Sequence, residues 1–355
     1  MTGFGGREAP AAGKAGATAM FREAAQAPAA VEAQLRLNGG CVRDLAKRLR
    51  SAPPRALVTI GRGSSDNAAT FARYLIETRL QILTASAAPS VSSVYAAAPD
   101  MAGAVALVIS QSGRSPDLIA AAHAAAAAGA LVIAMVNDDS SPLAEAAEVV
   151  IPLWAGPEKS VAATKSFIAA LAAIVQLTAH WSGDDALLAD LDRLPGLLGR
   201  AWALDWSACL SVLTPAQHLY VVARGPGLAI AQEAALKFKE TSGLHAEAFS
   251  AAEVRHGPMT LVGPGFPVLA FAQADETREG VEAAVGAFAD QGAQILMAGG
   301  AAQARVSALP VLASHPLLQP ITQVQSFYKM VEALSRARGF DPDHPAHLAK
   351  VTRTL

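Results

Sequence analysis

The chain repeats itself at a constant spacing of 162 residues, and no other feature limits its possible folds so strongly. Val58-Thr-Ile-Gly-Arg-Gly63 matches Tyr220-Val-Val-Ala-Arg-Gly225, and Leu107-Val-Ile-Ser-Gln111 matches Leu269-Ala-Phe-Ala-Gln273. Leu131-Val-Ile-Ala-Met135 falls on Ala293-Gln-Ile-Leu-Met297, and Val149-Val-Ile151 on Val311-Leu-Ala313. Farther on, Lys165-Ser-Phe167 pairs with Gln325-Ser-Phe327 after a two-residue slip. Several matches at one spacing mark a duplication. Each copy holds four short apolar runs separated by helical patterns, which means βαβ units and a parallel sheet buried on both faces. The expected organisation is two α/β units, 46–186 and 205–340. A leading stretch, 1–45, opens a helical segment from about Met20 to Leu49; a polar stretch, 187–204, links the units; a tail, 341–355, follows.

Bulk properties fit this plan. The 355 residues suffice for two ordinary domains, and with 52% apolar and 16% charged residues both can bury large cores. A net charge of −2 gives no broad electrostatic reason for a nucleic-acid or membrane partner. No uninterrupted apolar run reaches the length of a membrane span. Met1 to Lys14 lacks the apolar core of a signal peptide, so a cytoplasmic location is expected. Cys41 and Cys209 have no metal-type spacing and read as buried thiols in a reducing compartment.

The first copy carries Ser110-Gln-Ser-Gly-Arg-Ser115 between an apolar strand and an alanine-rich helix. Hydroxyls, an amide and free backbone N–H groups at a helix N-terminus suit an anion, and a small-molecule phosphate is the natural ligand. The second copy has Ala272-Gln-Ala-Asp275 there, and Asp275 in place of Gly113 would repel a phosphate. After the glycine turns, the first copy has Ser64-Ser65 and the second Pro226-Gly227. Only the second copy has Lys237, Glu240 and His256. One composite site is expected: the first copy grips the anion and the second supplies chemistry. By themselves several of these residues admit simpler roles. Ser64 and Ser65 could cap a helix, Lys237 and Glu240 could form an exposed i,i+3 ion pair, and His256 and Lys350 could be solvated surface groups.

Seven segments resemble, in order, the sugar isomerase (SIS) domain family, in particular the isomerase half of glucosamine-6-phosphate synthase and its stand-alone relatives. They are Gly61-Arg-Gly-Ser-Ser65, Ser110-Gln-Ser-Gly113, Ala155-Gly-Pro-Glu158 with Val161-Ala-Ala-Thr-Lys165, Glu233-Ala-Ala-Leu-Lys-Phe-Lys-Glu240, His245-Ala-Glu-Ala248, Glu253-Val-Arg-His-Gly-Pro258 and Leu348-Ala-Lys350. The resemblance implies two tandem doubly wound parallel-sheet SIS domains, an α/β fold, with a homodimer placing the site near its interface. It makes Ser64, Ser65, Ser110, Gln111, Ser112 and Ser115 ligands of a sugar phosphate, with Val161 and Thr164 at the sugar. Ala163 stands where the family has a serine, which removes one hydroxyl.

The resemblance makes Glu240 the base that moves a proton between carbon 2 and carbon 1, and Lys237 a support for charge on the carbonyl oxygen. It makes His256 the ring-opening acid/base, reaching a partner subunit's site, and Lys350 the tail lysine that approaches the carbonyl. His245 and Glu247 are candidates for ordering the site. No metal and no cofactor is implied. Too few residues precede the first sheet for a glutaminase domain, and Lys350-Val-Thr-Arg-Thr-Leu355 departs from the synthase tail. A SIS-type glucosamine-6-phosphate deaminase is therefore expected. The alternatives are another phosphosugar isomerase, a galactosamine-6-phosphate deaminase, a fructosamine-6-phosphate deglycase, or a non-catalytic sugar-phosphate sensor.

Overall fold

Two five-stranded parallel sheets of identical strand order stand at the centre of the molecule. The computed structural model describes residues 16–97, 99–302 and 305–350. The leading segment is two helices, α1 (Ala19–Ala25) and α2 (Ala27–Ser51), and not one. Pro28 causes the break: it has no N–H for the Ala24 carbonyl four residues back, which the Gln325 side-chain amide takes instead at 3.0 Å. On α2, Val31, Gln34, Asn38, Val42, Leu45 and Leu49 are buried, a helical stripe laid on the first unit.

The first unit runs β1 (Ala56–Ile60), α3 (Ser64–Leu80), β2 (Thr84–Ser86), α4 (Ser90–Ser93), β3 (Ala104–Ser110), α5 (Pro116–Ala127), β4 (Leu131–Val136), α6 (Pro142–Ala146), β5 (Val149–Pro152) and α7 (Lys165–Ser182). Three helices follow: α8 (Asp185–Leu191), α9 (Leu194–Ala203) and α10 (Ala208–Leu213). Most of the stretch expected to be a polar link is thus helical, and Leu187, Leu191, Leu194 and Leu198 in it are buried. The second unit runs β6 (His218–Ala223), α11 (Gly227–Ser242), β7 (His245–Ser250), β8 (Pro267–Phe271), α12 (Arg278–Asp290), β9 (Gln294–Ala298), β10 (Val306–Leu309) and α13 (Gln319–Ala337).

Strand order is β2-β1-β3-β4-β5 in the first sheet and β7-β6-β8-β9-β10 in the second. Side chains alternate across each sheet. Leu57, Leu107, Ile133 and Leu219, Leu269, Leu296 point into one shared core, while Ala106, Val108, Val132 and Val222, Ala270, Ile295 enter separate outer cores. Helix α7 is apolar almost all round and is buried almost all round.

Further expectations need correction. The spacing of 162 slips by one at β9, since Val105 pairs with Leu131 but Pro267 with Gln294, so that Ile133 corresponds to Leu296 and not to Ile295. Residues 311–313 are not a strand: β10 lies earlier, because the second unit has no described helix where α6 separates β4 from β5. Gln325 sits mid-helix in α13, whereas Lys165 opens α7, so that pair is not equivalent. Cys209 is buried, but Cys41 is exposed on α2. The readings made on Met1–Lys14 and on 351–355 fall outside the described residues.

Candidate active site

In a sheet of this order the chain reverses its direction of winding between β1 and β3. Ligands in such folds sit outside the carboxyl ends of the strands at that point. Both serine-bearing loops leave the sheet there, 61–65 after β1 and 110–115 after β3. Gly113 has φ +62, and a Cβ on it would lie 2.0 Å from Ser141 Oγ, so neither the turn nor the packing admits a side chain. Ser110 is buried and its Oγ accepts from the Gly113 N–H at 3.1 Å. Ser112 Oγ accepts from the Arg114 N–H at 3.3 Å, and Ser115 sits at the N-cap of α5 without a side-chain cap bond. Ser64, Ser65 and Gln111 line one small cleft with Ala163 and Ser166. The neighbouring arginines are engaged: Arg62 Nε lies 3.0 Å from Asp117, and Arg114 pairs with Asp138 at 2.8 Å.

The second unit meets this cleft through α11, which packs on α3. Glu233, Lys237 and Glu240 recur every three to four residues and share one helix face. Lys237 Nζ lies 2.5 Å from Glu240 Oε2, 3.3 Å from Glu233 Oε1 and 3.1 Å from Ser64 Oγ. This is no exposed ion pair: the Lys237 side chain is 1% exposed, Glu233 0% and Glu240 19%. Burial alone would lower the Lys237 pKa, but the two carboxylates outweigh it and raise the value, so the ammonium is held charged. Glu233 also accepts from Ser64 Oγ at 3.1 Å, Asn67 Nδ2 at 2.9 Å and Tyr328 Oη at 3.0 Å. Burial and then Glu233 push the Tyr328 hydroxyl well above its usual pKa, so it stays a donor. Glu233 is thus saturated and fixes Lys237. Glu240, partly exposed, is the carboxylate left able to meet a ligand.

The loop after β5 forms the third side. Val161 is half-buried there, and the fully buried Thr164 has a hydroxyl without a hydrogen-bond partner. Glu158, whose side chain is fully buried, organises the loop by accepting from Thr164 N at 3.0 Å, Ser166 N at 3.2 Å and Ser166 Oγ at 2.5 Å. Lys350 reaches this loop, donating to the Ser160 carbonyl at 2.7 Å and lying 3.4 Å from Glu158. Helix α1 holds it from the other side: Glu23 accepts from Lys159 N at 2.6 Å and Ser160 N at 3.1 Å, and Gln26 takes the Lys165 ammonium at 2.8 Å. Burial lowers the Lys165 pKa. The tail in turn caps α1, where Asp343 accepts from Ala19 N at 2.6 Å and Met20 N at 2.7 Å.

His256 is not part of this cluster within the chain. It is exposed in the loop after β7, with no hydrogen bond from its ring to another described residue. His245 and Glu247 are exposed on β7. Among the described residues no group of His, Cys, Asp and Glu is placed to hold a metal ion. Sequence reasoning left Glu233, Asn67, Tyr328, Glu158 and Glu23 without roles. The helical spacing of Glu233 from Lys237 was a usable signal; Tyr328 and Glu23, on distant helices, gave none.

The comparisons agree with this architecture. The SIS domain model matches residues 52–180 and 212–305. A glutamine–fructose-6-phosphate aminotransferase (isomerizing) of Aeropyrum pernix is 33% identical over 83% of this chain and 50% of that one. The chain thus spans about half the length of the curated relatives it matches. The crystal structure of a putative phosphosugar isomerase from Silicibacter pomeroyi DSS-3 superposes with TM-score 0.88 at 41% identity, covering 92% of this chain and 100% of the other. The glucosamine-6-phosphate deaminase of Thermotoga maritima shares the fold, with TM-score 0.75 at 20% identity over 95% and 100% of the two chains. From the matched model, the relatives and the paired sheets alike, the chain belongs to the SIS domain family.

Proposed function

We propose that this chain is an amino-sugar phosphate isomerase that releases ammonia, a glucosamine-6-phosphate deaminase of the SIS type. One observation carries the reading: Ser64 of the first unit and Glu240 of the second are bridged by the single buried ammonium of Lys237. A small ligand gripped at the serine loops would place its far end beside Glu240. The Ser65 hydroxyl, the 110–115 loop and the helix N-termini are offered to the phosphate, while Ser64, whose proton goes to Glu233, holds Lys237 beside them. Glu240 takes the proton from carbon 2 and returns it to carbon 1, and the Lys237 charge steadies the oxygen beside it. This leaves an imine at carbon 2. Water adds there, and fructose-6-phosphate and ammonia leave. Lys350 and Thr164 approach the sugar from the third side. His256, free on the surface, opens the ring from a second copy of the chain in a homodimer.

The name of the Aeropyrum relative couples isomerisation to amine transfer on fructose-6-phosphate, and deamination is that chemistry run toward free ammonia. The test is ammonia and ketose-phosphate production from glucosamine-6-phosphate at two protein concentrations, with Glu240→Gln alongside. Activity that falls by about a hundredfold or more in the variant supports the reading. No ammonia from the wild type refutes it. The serine loops read the phosphate and not the sugar, so galactosamine-6-phosphate, fructosamine-6-phosphate and tagatose-6-phosphate belong in the same panel. Ammonia-free isomerisation of any of them would replace the deaminase by a simple isomerase.

A further inference from the structure

The first unit contains a second cavity, on the outer face of its sheet and away from the serine loops' cleft. It has a volume of about 490 Å³ and lies between the β1–β3 strands, α5 and the segment that follows β2. That is the size of a small-molecule pocket. Its origin can be read from the duplication. Strands β1, β2 and β3 pair in the same register as β6, β7 and β8: Thr59 pairs with Ser86 as Val221 pairs with Ala248, and Val58 pairs with Ala106 as Tyr220 pairs with Val268. Ala87 N donates to the Thr59 carbonyl at 2.9 Å, which extends the β1–β2 register to the place that Phe249 takes beside β6.

In the second unit this volume is filled by aromatic rings. Tyr220 packs edge-on against Phe249 at 4.9 Å between centroids and against Phe266 at 4.9 Å, and His218 lies 4.8 Å from Phe266. The equivalent residues of the first unit are Ala56, Val58, Ala87 and Ala104, and all four line the cavity. The covering segments differ in the same sense. Val254 and Val262 are buried in the second unit's outer core, whereas Ser92 and Asp100 of the first line the cavity wall. One copy therefore carries a ring-shaped filling where the other has small side chains on the matching strands, under a covering segment that folds as α4 in the first unit and as two short 3-10 turns in the second.

We infer that the first unit's outer cavity is a binding site for a neutral aromatic compound of one to two fused rings. The twin unit's own rings show the shape that fits. The inner walls suit an apolar occupant better than a dianion: they are mostly alanine, valine and Ile60, the Ser92 hydroxyl donates to the Pro89 carbonyl, and Arg55 at the mouth is paired with Asp100. The charged side chains of the lining, Arg55 and Asp100, are both exposed and paired with each other at 3.3 Å, so a polar substituent belongs at the mouth beside them. Ile60 ends β1 immediately before the Gly61–Ser65 loop, and α5 rises from the Ser110–Ser115 loop. An occupant would touch the elements that carry both serine loops without entering their cleft.

The experiment uses 2-naphthol as the probe on the full chain, read by calorimetry and by the ¹³C-methyl resonance of Met101, which lines the cavity. Saturable binding of one probe per chain is expected, with a matching shift of the Met101 methyl and no competition from glucosamine-6-phosphate. Ala87→Phe and Ala104→Phe, which restore the twin's residues, are expected to weaken binding by about tenfold or more and to raise the melting temperature. Where a filled variant does not fold, Ala124→Leu on the α5 wall and the Met101 titration of the wild type carry the test. No binding up to the probe's solubility, or equal binding by wild type and folded filled variants, overturns the inference. A Met101 shift that follows protein concentration and ignores the probe overturns it too, since a second copy of the chain would then be the occupant.

Discussion

The two turns at Gly113 and Asp275 occupy the same place in twin sheets and do opposite things. In the second unit the Asp275 carboxylate accepts from Thr277 N at 2.9 Å, Thr277 Oγ1 at 2.5 Å and Gln273 Nε2 at 2.8 Å. That turn brings its own anion to the start of α12, and the donors there are occupied. In the first unit the equivalent residue is a glycine buttressed by Ser141 at the N-cap of α6, and the Leu143 N–H reaches the Gly113 carbonyl at 3.1 Å. The second unit has no described helix at that position. The same strand–turn–helix is therefore self-satisfied in one copy and open in the other. Duplication left one copy with a serine-rich loop and the other with Glu233, Lys237 and Glu240 on its first helix.

The sharpest way to break this contrast is to give the first turn the residue of the second. Gly113→Asp puts a side chain at positive φ against Ser141 and a carboxylate at the anion site. Glucosamine-6-phosphate affinity, measured by calorimetry, should fall by more than about a hundredfold. Next in size is Lys237→Met, which leaves two carboxylates without their shared ammonium and should cost about 3–5 kcal/mol in urea unfolding. Glu233→Gln in the same chain should restore part of that loss, and complete additivity would show that the pair is solvated. Ser112→Ala, which copies the second unit's Ala274, removes one bond to the ligand. It should raise KM about tenfold with kcat nearly unchanged, whereas Ala274→Ser should do nothing.

The smallest effect concerns the thiols. Burial pushes the Cys209 pKa from an ordinary 9.0 up to about 12. The folded value exceeds the unfolded one, so its contribution to stability is complete below pH 9 and fades as pH rises toward 12. Cys209→Ala should flatten that alkaline decline in denaturation midpoints. A disulfide reagent should meet Cys41 at once and Cys209 only on unfolding.

The duplication made the sheets legible, because a constant spacing survives wherever both copies keep the same connections. It slipped by one residue at β9, where Ile133 answers to Leu296, and failed at β10, where the second copy lacks a described helix. The leading segment read as one helix because its apolar stripe continues past Gln26, and the break needed the weight given to Pro28. The serine loops and α11 were legible from residue type and helical spacing. Burial of Lys237 was not, since Ser64, Asn67 and Tyr328 come from elements far apart in sequence and only packing joins them. Thr164 was named for the sugar, but Glu158, which positions its loop, was visible only as part of a motif.

Near each end of the described chain, α1 and Lys350 hold the loop at 158–160 from two sides, and the cap of α1 by Asp343 joins residues 324 apart in sequence. Contacts of such separation close late in folding. A nascent chain can assemble both sheets and still lack this wall of the cleft until Asp343 and Lys350 have emerged from synthesis. Ligand affinity should therefore depend on residues 343–350, and removing them should weaken binding while both sheets still form.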